Sequence, residues 1–213
     1  MTFKFEDVTT TGWILVAVLA ACAAVLFGIA RGGRKWTAKM LANAAVCLAL
    51  AFVLSYVRLF KLPQGGSVTA ASLLPIIAFA YSYGMGPGLV VGVAYGFLQM
   101  IQDPWIVSPI QAVLDYPLAF ASIALAAVAR KLPDSYGWLV GVLLAGAGRF
   151  ICHLLSGVVF FAEYAEGTGL SPFVYSVGYN SFVFVDIAIC AVVIAFPQVR
   201  KALLRLSTKG NKG

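Results

Sequence analysis

Three residues able to do polar chemistry interrupt long apolar stretches of this chain: Asp115, the single histidine His153, and Asn180. A carboxylate, an imidazole and a carboxamide can between them neutralise a cation and read a hydrogen-bonding edge. Each is costly in hydrocarbon, so their coincidence at one depth argues for a cavity. Counting about 1.5 Å per residue inward from the expected helix ends places Asp115 roughly 8 Å, Asn180 roughly 10 Å and His153 roughly 12 Å deep. Trp105, Tyr116, Phe160, Phe161, Tyr175 and Tyr179 lie at or above that layer. Aromatic faces around a carboxylate favour a flat organic cation, each desolvated ring contributing about 0.5–2 kcal/mol. Taken singly, every one of these residues has a plainer use: Tyr and Trp anchor helix ends, and His or Asn joins neighbouring helices. Their convergence is what shifts the balance toward a ligand site.

Other chemistries find no support. Cys22, Cys47, Cys152 and Cys190 stand singly, without a Cys-x-x-Cys pair, and there is no His-Glu-x-x-His helix, so no metal and no cofactor is expected. A membrane-embedded enzyme using Asp115 and His153 as an acid–base pair is the rival reading, but no Gly-x-Ser-x-Gly turn is present and no catalytic residue is assigned. A Walker-type phosphate loop is also missing, so any ATP-driven step needs another subunit.

The elements that must position these groups are membrane helices. With 62% hydrophobic residues, 11% charged residues and a mean hydropathy of +0.94, the chain reads as an all-α integral membrane protein in a lipid bilayer. Apolar stretches cover about residues 12–30, 41–59, 70–83, 86–101, 110–129, 137–161 and 173–196. The third and fourth are short and separated only by Gly84-Met85-Gly86-Pro87, which predicts a tight helical hairpin. Arg31, Arg34, Lys35, Lys39, Arg130, Lys131, Arg200, Lys201, Arg205, Lys209 and Lys212 fall on one side; only Lys4, Arg58 and Lys61 fall on the other. That asymmetry predicts an outer N-terminus and a cytoplasmic C-terminus, and it accounts for the formal charge of +7 without nucleic-acid binding. Glu6 and Asp7 precede the first apolar stretch and its basic residues follow it, so it is expected to be retained rather than cleaved as a signal peptide.

Two further patterns concern helix contact. Arg149 and Asp186 lie at matched depth on neighbouring spans and are expected to pair, apart from the ligand site, as a buried lock between helices; the alternative is a switch linking the pocket to the cytoplasmic half, since Arg149 and His153 share a helical face four residues apart. Gly88, Gly92 and Gly96 form one small-residue stripe, assigned to contact inside the bundle; Ala42, Ala45 and Ala49 form another, open to internal packing or to docking on a second membrane protein.

From the second span onward the sequence resembles the thiamin-specific substrate-binding subunits, or S components, of energy-coupling factor (ECF) vitamin transporters. The residues that carry the likeness are Phe52–Arg58 leading to Leu62-Pro63-Gln64-Gly65-Gly66-Ser67-Val68-Thr69, then Ser108-Pro109-Ile110-Gln111 with Leu114–Phe120. Gly148-Arg149-Phe150-Ile151-Cys152-His153 with Ser156-Gly157 follows, and then Ser171–Ser176 with Tyr179-Asn180. The resemblance implies a six-helix S-component bundle (37–198) that binds thiamin or a close analogue from outside. It also implies a transmembrane coupling subunit and two ABC ATPases as partners. Residues 1–36 would then be an extra N-terminal transmembrane helix with its basic loop, and 199–213 a basic cytoplasmic tail, in a bacterial cell membrane. By motif position it implies that Asp115, Tyr116, His153, Tyr175, Asn180, Trp105, Phe161 and Tyr95 bind substrate, and that Ala45 and Ala49 contact the coupling subunit. Phe161 stands where the family pattern has Trp, and Asp115 where some members have Glu. The loop 58–69, with Pro63 and Gly65-Gly66, is expected to cover the site as a lid.

Overall fold

The computed structural model of the chain describes residues 36–206, with side chains through Ala202. The expected span 12–30, Cys22, the charges Lys4, Glu6, Asp7, Arg31, Arg34, Lys35, Lys209 and Lys212, and the side chain of Arg205 lie outside the described residues.

Helices begin where the sequence supplies caps. Thr37 accepts from Met40 N at 3.2 Å and opens α1, Ala38–Ser55. Ser108, followed by Pro109, accepts from Gln111 N at 3.3 Å and opens α4, Pro109–Lys131. Ser171, followed by Pro172, accepts from Val174 N at 3.3 Å and opens α6, Pro172–Ala195. A hydroxyl takes up an orphan N–H at each start, and a proline at the next position has no N–H to lose. Between these lie α2 (Leu74–Tyr83), α3 (Met85–Gln102) and α5 (Gly137–Phe160), and α7 (Pro197–Leu206) follows. Helices α1, α3, α4, α5 and α6 are long and apolar enough to cross a membrane; α2 is apolar but shorter.

Two expectations about extent need correction. The second span stops at Ser55 rather than residue 59, because Arg58–Lys61 (β1) pairs antiparallel with Ser67–Thr69 (β2), so the loop is a β-hairpin. Leu59 and Phe60 are apolar, and hydropathy alone cannot tell such a strand from a helix end. The third span starts at Leu74 rather than residue 70, after a turn in which Ala71 takes φ 58°. Helix α4 is also not uniform: a π-helical turn at Leu114–Leu118 encloses Pro117, which has no N–H to give to an α-helical ladder.

The glycine stripe packs internally. A Cβ at Gly96 would lie 2.6 Å from Tyr116 O, and one at Gly88 would lie 2.7 Å from Ala80 Cβ, so α3 approaches α4 and α2 at backbone distance. On α1, Met40, Ala44, Cys47 and Ala51 face inward while Ala42, Ala45 and Ala49 are exposed. Cys47, Cys152 and Cys190 are buried.

Candidate functional site

A cavity of about 110 Å³ lies where α4, α5 and α6 meet beneath the hairpin. Seven of the eight expected substrate residues line it: Trp105, Asp115, Tyr116, His153, Phe161, Tyr175 and Asn180. Tyr95 does not. It is fully buried, its hydroxyl donates to Ala51 O at 3.2 Å, and it meets the Phe120 ring edge-on, so it joins α3 to α1 and α4 away from the cavity. A second correction concerns Arg149, expected apart from the site: it lines the cavity.

Asp115 projects from the π-helical turn and is held from three directions. Gln111 Nε2 and Ser156 Oγ each donate to Oδ2 at 2.6 Å, and His153 Nδ1 is 2.9 Å from Oδ1. An ionised carboxylate can only accept, so Nδ1 is the donor in this contact. The other ring nitrogen, Nε2, is buried and without a partner among the described residues. The result is a carboxylate held by three neighbours beside a ring nitrogen left for a ligand to meet.

Neighbouring polar groups are oriented just as tightly. Asn180 Nδ2 donates to Ser176 O at 2.9 Å, to Ser176 Oγ at 3.1 Å and to His153 O at 3.2 Å. Such contacts need α5 and α6 close together, and Gly157 allows it: a Cβ there would collide with Ser176 Oγ and sit 3.2 Å from Asn180 Nδ2. Tyr116 accepts from Trp105 N at 2.7 Å and donates to Asp103 O at 3.1 Å, tying the α3–α4 loop to the cavity wall.

The hairpin forms the cover. Tyr179 Oη accepts from Gly66 N at 3.2 Å, and Gln64 Nε2 reaches Tyr175 Oη at 3.5 Å. Gly65 takes φ +88° with Trp105 beside it, and a Cβ at Gly66 would lie 2.9 Å from the Phe182 ring, so a side chain at Gly66 would push the cover off α6. Arg58 and Lys61 each reach Asp103 Oδ2 at 2.7 Å. Burial alone would raise the Asp103 carboxyl, but the hydrogen bond from Lys61 and the charges of Arg58 and Lys61 outweigh it and hold the carboxyl below its usual 3.8.

Gln111 and Ser156 were not singled out as ligands of the carboxylate from sequence. Helical spacing carries the signal: Gln111 precedes Asp115 by four residues and Ser156 follows His153 by three, each on the same face as its partner. Gln64 meets Tyr175, and Gly66 meets Tyr179, between the hairpin and α6, which no local periodicity reveals.

The fold is shared with solved structures. ThiT from Listeria monocytogenes superimposes with a TM-score of 0.67 at 23% identity, covering 78% of this chain and 96% of that one. A structure described as the S component of a bacterial ECF transporter gives 0.55 at 20% identity, covering 78% and 97%. At these identities the likeness is one of fold. Sequence carries it further: the family "Thiamine transporter protein (Thia_YuaJ)" matches residues 41–205. The thiamine transporter ThiT of Bacillus subtilis (strain 168) is 30% identical over 182 residues, 76% of this chain and 94% of its own length. The chain belongs to the thiamine transporter protein family.

Proposed function

We propose that this chain is the substrate-binding S subunit of an ECF-type importer, taking thiamin from the outer side into the cavity under the hairpin. The observation that carries the reading is Asp115, a carboxylate fixed by Gln111, Ser156 and His153 among aromatic rings in an apolar bundle. Thiamin is a flat cation with hydrogen-bonding edges, the ligand such a site favours. In this reading Asp115 neutralises the ring charge, His153 Nε2 hydrogen-bonds to the ligand, and Asn180 and Tyr175 read the pyrimidine edge. Trp105, Tyr116 and Phe161 supply ring faces. The hairpin shuts the site from water, which strengthens every charge interaction within it.

The remaining expectations fit the same scheme. Helices α1 to α6 form the six-helix binding unit. The excess of Lys and Arg at Lys39, Arg130, Lys131, Arg200 and Lys201 supports a cytoplasmic side for these segments and an internal C-terminus. Ala45 and Ala49, exposed on α1, provide a flat strip where a transmembrane coupling subunit can approach at backbone distance. Two ABC ATPases would power the cycle; the chain itself binds and does not hydrolyse. Titration of the purified full chain with thiamin, with mass spectrometry of any small molecule that copurifies, tests the proposal. One saturable site and recovery of unaltered thiamin is the expected result; no saturable binding and a different copurifying ligand would overturn it.

A further inference from the structure

Thr69 is the last residue of the hairpin, where the chain leaves the cover and turns toward α2. Its backbone N–H and its hydroxyl both donate to Asp186 Oδ1, at 3.1 and 3.0 Å. The other oxygen of Asp186 receives Arg149 Nη1 at 2.8 Å. Arg149 in turn lines the cavity, with its guanidinium 5.1 Å from the centre of the Phe120 ring and 5.7 Å from that of Phe182. Phe182 is the same ring that presses on Gly66 of the hairpin. One ionic and one aromatic route therefore run from a cavity-lining cation to the cover.

A lock between α5 and α6 would be complete with Arg149 and Asp186 alone. Here the carboxylate is shared three ways, and two of its donors belong to the hairpin. Directly beyond Thr69, Ala71 takes φ 58°, a conformation that favours glycine, and its N–H donates to Thr69 O at 2.9 Å. Such a residue persists where its surroundings over-determine it, and Thr69, whose carbonyl receives the Ala71 N–H, is itself held by Asp186. Asp186 also neutralises a guanidinium that would otherwise repel a cation in the cavity.

We propose that Asp186 and Arg149 are positioning residues that seat the 58–69 hairpin, so that the cavity and its cover respond as one unit and the network controls how long a ligand is held. This rests on the reading of the cavity as a ligand site. Neither residue is assigned to touch the substrate; both act through Thr69 and Phe182.

The test uses the full chain in detergent with two readouts: hydrogen exchange of the ligand-free hairpin, and stopped-flow association and dissociation of thiamin. Thr69→Val keeps the shape and the backbone N–H but removes the hydroxyl donated to a charged acceptor. Exchange in residues 58–69 is expected to quicken by about tenfold, and thiamin to dissociate faster by a similar factor with association within about twofold. Arg149→Met, which forms no hydrogen bond with the hairpin, should quicken the same amides; Ser72→Ala, which leaves every contact of Asp186 in place, should quicken them far less. Unchanged hairpin exchange in Thr69→Val overturns the linkage whatever ligand binds. Faster exchange with an unaltered dissociation rate also overturns it, leaving the network a structural staple. Faster exchange in a protein whose parent fails to bind thiamin supports the seating of the hairpin and removes thiamin as the ligand.

Discussion

The two halves of the bundle are built from similarly apolar helices and differ in what they bury. Away from the cavity, Ile76, Ile77, Phe79, Tyr81 and Val142 are fully enclosed, with Tyr81 stacked on Trp138 at 3.9 Å and Phe79 on Tyr83 at 4.7 Å. Toward the hairpin the enclosed groups are Gln111, Ser156, Ser176, Asn180 and Asp186, each held by hydrogen bonds. The difference follows from the length of one element. Helix α2 has 10 residues and so spans about 15 Å, half a bilayer core; it fills one half with side chains, and a hairpin rather than a helix closes the other. Stability and binding are thereby assigned to separate ends of the same helices.

Substitutions can break that division if it is wrong. Phe79→Ala should give the largest loss of stability, about 3–5 kcal/mol, because a ring with no exposed surface leaves a cavity; thiamin affinity of the folded fraction should change little. Thermal unfolding alongside a binding titration checks both halves of the statement, and a comparable loss of affinity would erase the distinction. Gly157→Ala inverts the pattern. The added methyl is forced on Ser176 and Asn180, costing about 1–3 kcal/mol in stability and tilting the Asn180 side chain, so affinity should fall clearly even where the unfolding temperature moves modestly.

The smallest effect is expected from pH. The Asp103 carboxyl is held below its usual 3.8, so the clamp from Arg58 and Lys61 is at full strength above that value and is lost as pH falls through the lowered one. Thiamin dissociation should therefore gain nothing from the protonation of Asp103 between about pH 7 and about pH 5, and should quicken only in more acid solution. All three side chains are partly solvent-exposed, so the change should be slight. Asp103→Asn, measured beside the parent, isolates the contribution: the variant should show the faster rate already at neutral pH.

What could be read from the sequence follows from which forces are local. Helical rise converts position into depth, and that placed Asp115, His153 and Asn180 in one layer; the structure brings His153 Nδ1 within 2.9 Å of Asp115 and Asn180 Nδ2 within 3.2 Å of His153 O. The hairpin escaped a hydropathy reading because Leu59 and Phe60 continue the apolar run, and strand pairing depends on Ser67–Thr69, which lies beyond a turn. The π-helical turn escaped the sequence reading although Pro117, a residue without an N–H, stands inside the apolar helix; the backbone there also lies against Gly96 of a distant segment. Tyr95 shows the limit of depth and residue type together. Both suit a cavity wall, yet an acceptor on α1, Ala51 O, draws its hydroxyl the other way.

The account turns on the charge of Asp115, and the direct measurement is thiamin titration of Asp115→Asn against the parent chain at neutral pH. Loss of a desolvated, hydrogen-bonded charge should weaken binding by about 2–5 kcal/mol, at least roughly 30-fold, while the unfolding temperature shows the variant still folded. An affinity equal to that of the parent would contradict the assignment of that carboxylate as the counter-charge.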